Sequence, residues 1–89
     1  MTSRTLILPN RLGLHARAAA KLVHIAGGFP CEIKVSRDGQ QVEAKSILGL
    51  LLLAAPQGSE VTINCDGDRE QEAIDALSEL IEGGFGEDE

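Results

Sequence analysis

His15 lies between Gly13 and a helical pattern that begins at Ala16, and Arg17 follows two residues later. The start of a helix presents amide N–H groups that no carbonyl of the helix can take. Those donors and the helix dipole attract anions, phosphate above all. Here Ala16 and Arg17 supply the backbone donors, and the Arg17 guanidinium adds a planar fork suited to phosphate oxygens. The same positive field works against a protonated ring, and a neutral imidazole is a nucleophile. A phosphoryl acceptor and the groups to hold the arriving phosphoryl thus fall within three residues. A histidine before a helix also serves as a plain polar cap, and spacing leaves both readings open.

Ser46 is a second candidate. It precedes Ile47–Leu53, a run of aliphatic residues broken only by Gly49. Serine is a preferred helix cap, which accounts for it without chemistry. A phosphate on it would suit a positive helix end and would place close to two negative charges beside Ile47 and Leu48. The run itself cannot turn every side chain into one small core. Ile47, Leu48 and Leu51 are therefore expected as an exposed apolar patch, the mark of a docking surface. A rim of Arg17, Lys21, His24 and Lys45 would steer such a surface toward acidic partners. Cys31 and Cys65 fall on the apolar side of their strands and are expected as buried thiols. His15, His24, Cys31 and Cys65 lack metal-ligand spacing, and the chain has no glycine-rich nucleotide loop, so neither metal nor cofactor is expected.

Seven elements must position these residues. Thr2 to Leu8 reads as a strand ended by Pro9-Asn10. Ala19, Leu22, Val23 and Ala26 share one face of a helix over Ala16–Ala26, with Arg17, Lys21 and His24 on its polar side. Cys31, Ile33 and Val35 alternate as a half-buried strand, Asp38-Gly39 signals a hairpin, and Gln40 to Ala44 is the return strand. After the Ser46-capped helix and the Pro56-Gln57-Gly58 turn, Val61, Ile63 and Cys65 alternate again. Asp68 and Gln71 fit a capping box for a last helix carrying Ala73, Leu77, Leu80 and Ile81 on one face. Gly83-Gly84 ends it, and Gly86–Glu89 is expected as a frayed acidic tail. A central hairpin demands antiparallel pairing, and three amphipathic helices need one apolar sheet face. The fold class expected is α+β: a single-domain, open-faced two-layer sandwich ordered β-α-β-β-α-β-α, with all three helices on one side.

Charge divides the chain. Of its 89 residues, 14 are acidic and 8 basic, for a net charge of -6. Residues 1–59 carry +4 and residues 60–89 carry -10. The basic part holds His15, Arg17, Lys21 and Lys45; the acidic part is expected to form a solubilising back, away from them. Net acidity and two aromatic residues argue against nucleic-acid binding. The longest apolar run, Ile47–Ala55, is half of what a membrane helix needs, roughly 18 residues. The first residues lead into only a short apolar stretch, so no signal peptide is expected, and the protein is expected to be cytoplasmic and monomeric.

The segment Asn10-Arg11-Leu12-Gly13-Leu14-His15-Ala16-Arg17-Ala18-Ala19 resembles the active-site signature of the HPr family, the histidine-containing phosphocarriers of the bacterial phosphotransferase system. Lys45-Ser46-Ile47-Leu48-Gly49-Leu50 resembles the family's regulatory-serine region, and Gly84–Glu89 is similar to the tail of its nitrogen-related branch, NPr. The resemblance implies a carrier rather than an enzyme. His15 would accept a phosphoryl group at Nδ1 from enzyme I charged by phosphoenolpyruvate and pass it to an enzyme IIA-type protein, with Arg17 assisting. It further implies that an HPr kinase/phosphorylase acts on Ser46, and that the Ile47/Leu48/Leu51 surface docks enzyme I. Ala18 departs from the pattern, standing where the family usually has proline. The alternative function is a regulatory binding module of a nitrogen-type system that acts through its phosphorylation state rather than in sugar transport.

Overall fold

The strands form because their residues alternate and their partners match. Leu6, Ile33, Val35, Val61, Ile63 and Cys65 are buried, whereas Thr5, Lys34, Thr62 and Asn64 between them are not. One sheet face is therefore apolar and the other wet. In the computed structural model, which describes residues 1–87, the elements are β1 (Thr2–Ile7), α1 (Ala16–Ala26), β2 (Glu32–Arg37), β3 (Gln40–Glu43), α2 (Ile47–Leu52), β4 (Glu60–Asp66) and α3 (Glu70–Glu82). A short 3-10 turn, Gly84–Gly86, follows α3. The sheet order is β1-β4-β2-β3, and every pair is antiparallel. This is the open-faced sandwich expected from the element order.

On the wet face, cross-strand side chains pair: Ser3 Oγ donates to Asn64 Oδ1 at 2.6 Å, and the Thr5 and Thr62 hydroxyls meet at 3.0 Å. At the β2–β3 turn, Asp38 and Gly39 have φ of 50° and 81°, the left-handed pair of a two-residue hairpin. On the dry face, α1 buries Ala18, Ala19, Leu22 and Ala26, and α3 buries Ala73, Ile74, Leu77 and Ile81. Each large aliphatic side chain so buried contributes about 1.5–3 kcal/mol. Alanines on α1 let that helix pack closely against α2 and α3.

Two local expectations need correcting. Asp68 and Gln71 do not form a capping box. The residue before α3 is Arg69, held in the left-handed region at φ 63°, and Glu70 Oε1 instead accepts from the Gly67 N–H at 3.0 Å. Arg69 is kept there by contacts no spacing rule reports: its guanidinium lies 5.0 Å from the Phe29 ring centroid and pairs with Glu72 at 3.0 Å. The acidic tail is also not frayed as far as Glu87. Phe85 is fully buried, the Gly86 and Glu87 amides donate to the carbonyls of Gly83 and Gly84, and Lys21 Nζ donates to the Phe85 carbonyl at 2.6 Å. Burying one phenylalanine is enough to hold a short tail down. Asp88 and Glu89, included in that expectation, lie outside the described residues.

Candidate functional site

The loop between β1 and α1 sets the site. Asn10 is buried; its Nδ2 donates to the Gly13 carbonyl at 2.7 Å, while the Asn10 carbonyl accepts from the Gly13 N–H at 3.1 Å. Gly13 has φ 62°, and a Cβ there would stand 2.3 Å from the Ala55 carbonyl oxygen, so no other residue fits. Leu14 is buried and donates its N–H to that same Ala55 oxygen at 2.9 Å. Loop and α2–β4 connection are thereby locked together.

His15 follows in extended conformation (φ -84°, ψ 179°) as the residue capping α1, and its side chain makes no cap hydrogen bond. The plain-cap reading of His15 is therefore not realised. Its carbonyl accepts the first helical bond from the Ala19 N–H at 2.8 Å. The amides of Ala16 and Arg17 precede that bond and have no intrahelical acceptor. No acidic residue lies in the first turn of α1. Arg17 is exposed there and, among the described residues, has no hydrogen-bond or ion-pair partner. Its fork is thus unspent, although the structure does not bring it onto His15.

What touches the imidazole instead is Glu87. His15 Nε2 and Glu87 Oε2 are hydrogen-bonded, and Glu87 Oε1 accepts from Asn10 Nδ2 at 2.8 Å. The hydrogen bond from Asn10 is the main reason the Glu87 carboxyl stays below the usual carboxylate range; the His15 hydrogen bond and the Lys21 charge act in the same direction, and desolvation opposes them. This corrects the view of the last thirty residues as an acidic back remote from the site: one of their carboxylates reaches the candidate nucleophile. Asn10 and Glu87 were missed as site residues. Asn10 stands inside the signature segment, and an asparagine right after Pro9 in the loop leading to His15 was a usable signal; Glu87 had none, because its contact spans the whole domain.

The other candidates are dispersed. Ser46 caps α2, its Oγ accepting from the Gly49 N–H at 3.0 Å. Ile47, Leu48 and Leu51 are exposed as expected, Leu48 at 70%, and Leu52 at 61% joins them; only Leu50 of the helix is buried. Lys21 is engaged with Phe85, and Lys45 Nζ donates to the carbonyls of Phe29 and Cys31 at 2.8 and 3.1 Å, so each ammonium already holds backbone. His24 is exposed on α1. Cys31 and Cys65 are buried, and burial pushes the Cys65 thiol up to about 11, which makes it a poor nucleophile at neutral pH. Among the described residues, no three His, Cys, Asp or Glu side chains form a metal-sized cluster, and no helix is long and apolar enough to cross a membrane.

Compared with known families, residues 2–83 match the model described as the PTS HPr component phosphorylation site. The chain belongs to the HPr family. Phosphocarrier protein HPr of Cupriavidus necator is 55% identical over 89 residues, covering all of both chains. Phosphocarrier protein NPr of Proteus mirabilis is 40% identical over 86 residues, 96% of each chain. Among solved structures, HPr-C-His from Thermoanaerobacter tengcongensis superposes with a TM-score of 0.96 at 45% identity over all of both chains. Membership makes the chain a phosphocarrier protein of the phosphotransferase system, not an enzyme. One expectation fails here. The HPr dimer from the same organism, TM-score 0.79 at 46% identity over 98% of this chain and all of that one, shows that this fold is not bound to be monomeric. Edge strands β1 and β3 and the exposed leucines of α2 are the surfaces a monomer leaves uncovered.

Proposed function

We propose that His15 is the phosphoryl acceptor: it takes the group at Nδ1 from phosphoenolpyruvate-charged enzyme I and passes it to an enzyme IIA-type protein. The observation that carries this is the state of the imidazole. Nε2 is occupied by Glu87, while the ring makes no bond to the helix it caps. In the neutral ring with its proton on Nε2, Nδ1 is the nitrogen left with a lone pair for phosphorus. As the new N–P bond forms, the donor's bond to phosphorus breaks and its electron pair stays with the donor. In this reading the Ala16 and Arg17 amides take the phosphoryl oxygens, and the Arg17 guanidinium joins them by turning toward the ring. Transfer onward repeats the step in reverse.

In this reading the apolar surface of Ile47, Leu48, Leu51 and Leu52 is the docking face for both partners, and the charges of Arg17, Lys21, His24 and Lys45 favour the approach of acidic ones. Ser46 is a regulatory phosphorylation site for an HPr kinase/phosphorylase. Its cap bond uses the hydroxyl oxygen as acceptor, and a phosphate would stay at the same helix start while adding negative charge beside Ile47 and Leu48. Such a carrier works in the cytoplasm. A second reading, a regulatory module of a nitrogen-type system, is favoured by the Gly84–Glu89 tail; offering the phosphorylated protein to sugar-type and nitrogen-type enzyme IIA proteins separates the two.

The test is to incubate the protein with phosphoenolpyruvate and enzyme I. One acid-labile, base-stable phosphate is expected, located on His15 by mass. Phosphate that persists in His15→Ala would overturn the assignment.

A further inference from the structure

Glu87 reaches His15 through a sequence of local devices that each serve its placement. Phe85 is buried, anchoring the tail against the core. Gly84, Phe85 and Gly86 all take positive φ, between 59° and 70°, which coils the backbone tightly instead of letting it run into solvent. Lys21, from the polar face of α1, fastens the Phe85 carbonyl at 2.6 Å. Asn10 Nδ2 then fixes one Glu87 oxygen at 2.8 Å, leaving the other for His15 Nε2. Asn10 also holds Gly13, so the same side chain sets the loop before the nucleophile and the carboxylate behind it. Two chain segments far apart in sequence, residues 10–21 and the tail at 84–87, are thereby brought together at the imidazole.

The chemistry at that nitrogen is specific. A carboxylate accepts but does not donate, so the Nε2 it faces must carry the proton. In the neutral ring, that leaves Nδ1 as the nitrogen with the free lone pair. When Nδ1 gains a phosphoryl group, the ring takes on positive charge, which is shared with Nε2–H. A fixed carboxylate at Nε2 offsets that charge, as an orienting carboxylate does for an imidazolium formed in acyl transfer. We propose that Glu87 is a positioning residue for phosphoryl transfer: it fixes the Nε2–H form of His15, holds the ring and stabilises the charged phosphoimidazole, with Asn10 aligning it. No atom of Glu87 bonds to phosphorus, and Nε2 keeps its proton throughout. The inference rests on His15 being the acceptor.

Two measurements test it. In unphosphorylated protein with 15N-labelled histidine, the His15 Nε2–H proton should be visible, with nuclear Overhauser contacts from the ring to the Glu87 γ protons. Its exchange with water should quicken about tenfold or more in Glu87→Gln and stay unchanged in Glu82→Gln, a solvent-exposed control. With phosphoenolpyruvate and enzyme I, Glu87→Gln should show kcat lowered about tenfold at unchanged KM, and its phosphorylated form should lose phosphate faster than the parent. Missing Overhauser contacts in the parent, equal exchange rates, or faster phosphorylation of Glu87→Gln would each overturn the proposal. If the phosphate is found away from His15, the functional reading fails instead, and the proton spectrum still reports on the contact.

Discussion

Two helix starts in this molecule are finished in opposite ways. At α3 the positive end is neutralised from within: Glu70 and Glu72 lie in the first turn, and Glu70 reaches back to the Gly67 amide. At α1 the first turn has no acid, the capping side chain makes no cap bond, and Arg17 adds further positive charge. Acids in a first turn and a bonded cap each typically stabilise a helix by several tenths of a kcal/mol or more. The α1 start forgoes both. Leaving amides and dipole unanswered is what an anion-receiving site requires, and it is done only where the imidazole stands. At α2 the same device is half closed, since Ser46 caps Gly49 and yet offers a hydroxyl.

The contrast can be broken by experiment. The largest effect expected is from His15→Ala, which should abolish acid-labile phosphate altogether while leaving the far-ultraviolet circular dichroism intact. Arg17→Gln should slow phosphorylation by roughly ten- to a hundredfold in a phosphoenolpyruvate-driven assay, with the melting temperature held, because among the described residues the side chain has no partner to lose. Giving α1 the acid that α3 has, through Ala16→Glu, should move two readings apart. Thermal stability should rise by about 0.3–1 kcal/mol and phosphorylation should slow, since the introduced carboxylate competes for the same amides. Ser46→Ala should cost about 1 kcal/mol in denaturant unfolding and leave phosphorylation of His15 in place. The smallest effect is one of pH. Glu70 is held below the usual carboxylate range, chiefly by the Gly67 N–H, so its folded value lies under its unfolded one. Its contribution is present above the unfolded value and is lost as pH falls through the folded one. The acid melting curve of Glu70→Gln should therefore be flatter than that of the parent below about pH 4.5.

Local signals carried most of this architecture. The helix over Ala16–Ala26 agrees with its apolar period to the residue, and the turn at Asp38-Gly39 follows from two residues that tolerate positive φ. Ser46 as a cap and the exposure of Ile47, Leu48 and Leu51 were also readable, because a six-residue helix cannot bury four aliphatic faces. What escaped was set by partners distant in sequence. Arg69 displaced the Asp68 cap through Phe29, forty residues earlier in the fold's path. Glu87 looked like one more solvated acid, and only the burial of Phe85 beside α1 turns it onto His15. Lys21 and Lys45 were legible as positive charge, but not as fasteners of backbone carbonyls.

The sheet order has a kinetic consequence. The β2–β3 hairpin closes over a two-residue turn, whereas β1 must find β4 across the domain, with Thr2 opposite Cys65. Pairings of such separation form late. The Asn10–Gly13 loop hangs from β1, and Glu87 arrives from the far end of α3, so the nucleophile is the last region to be assembled. In pulsed hydrogen exchange during refolding, amides of β2 and β3 should gain protection before that of Leu14. Competence to accept phosphate then doubles as a report that the chain has finished folding.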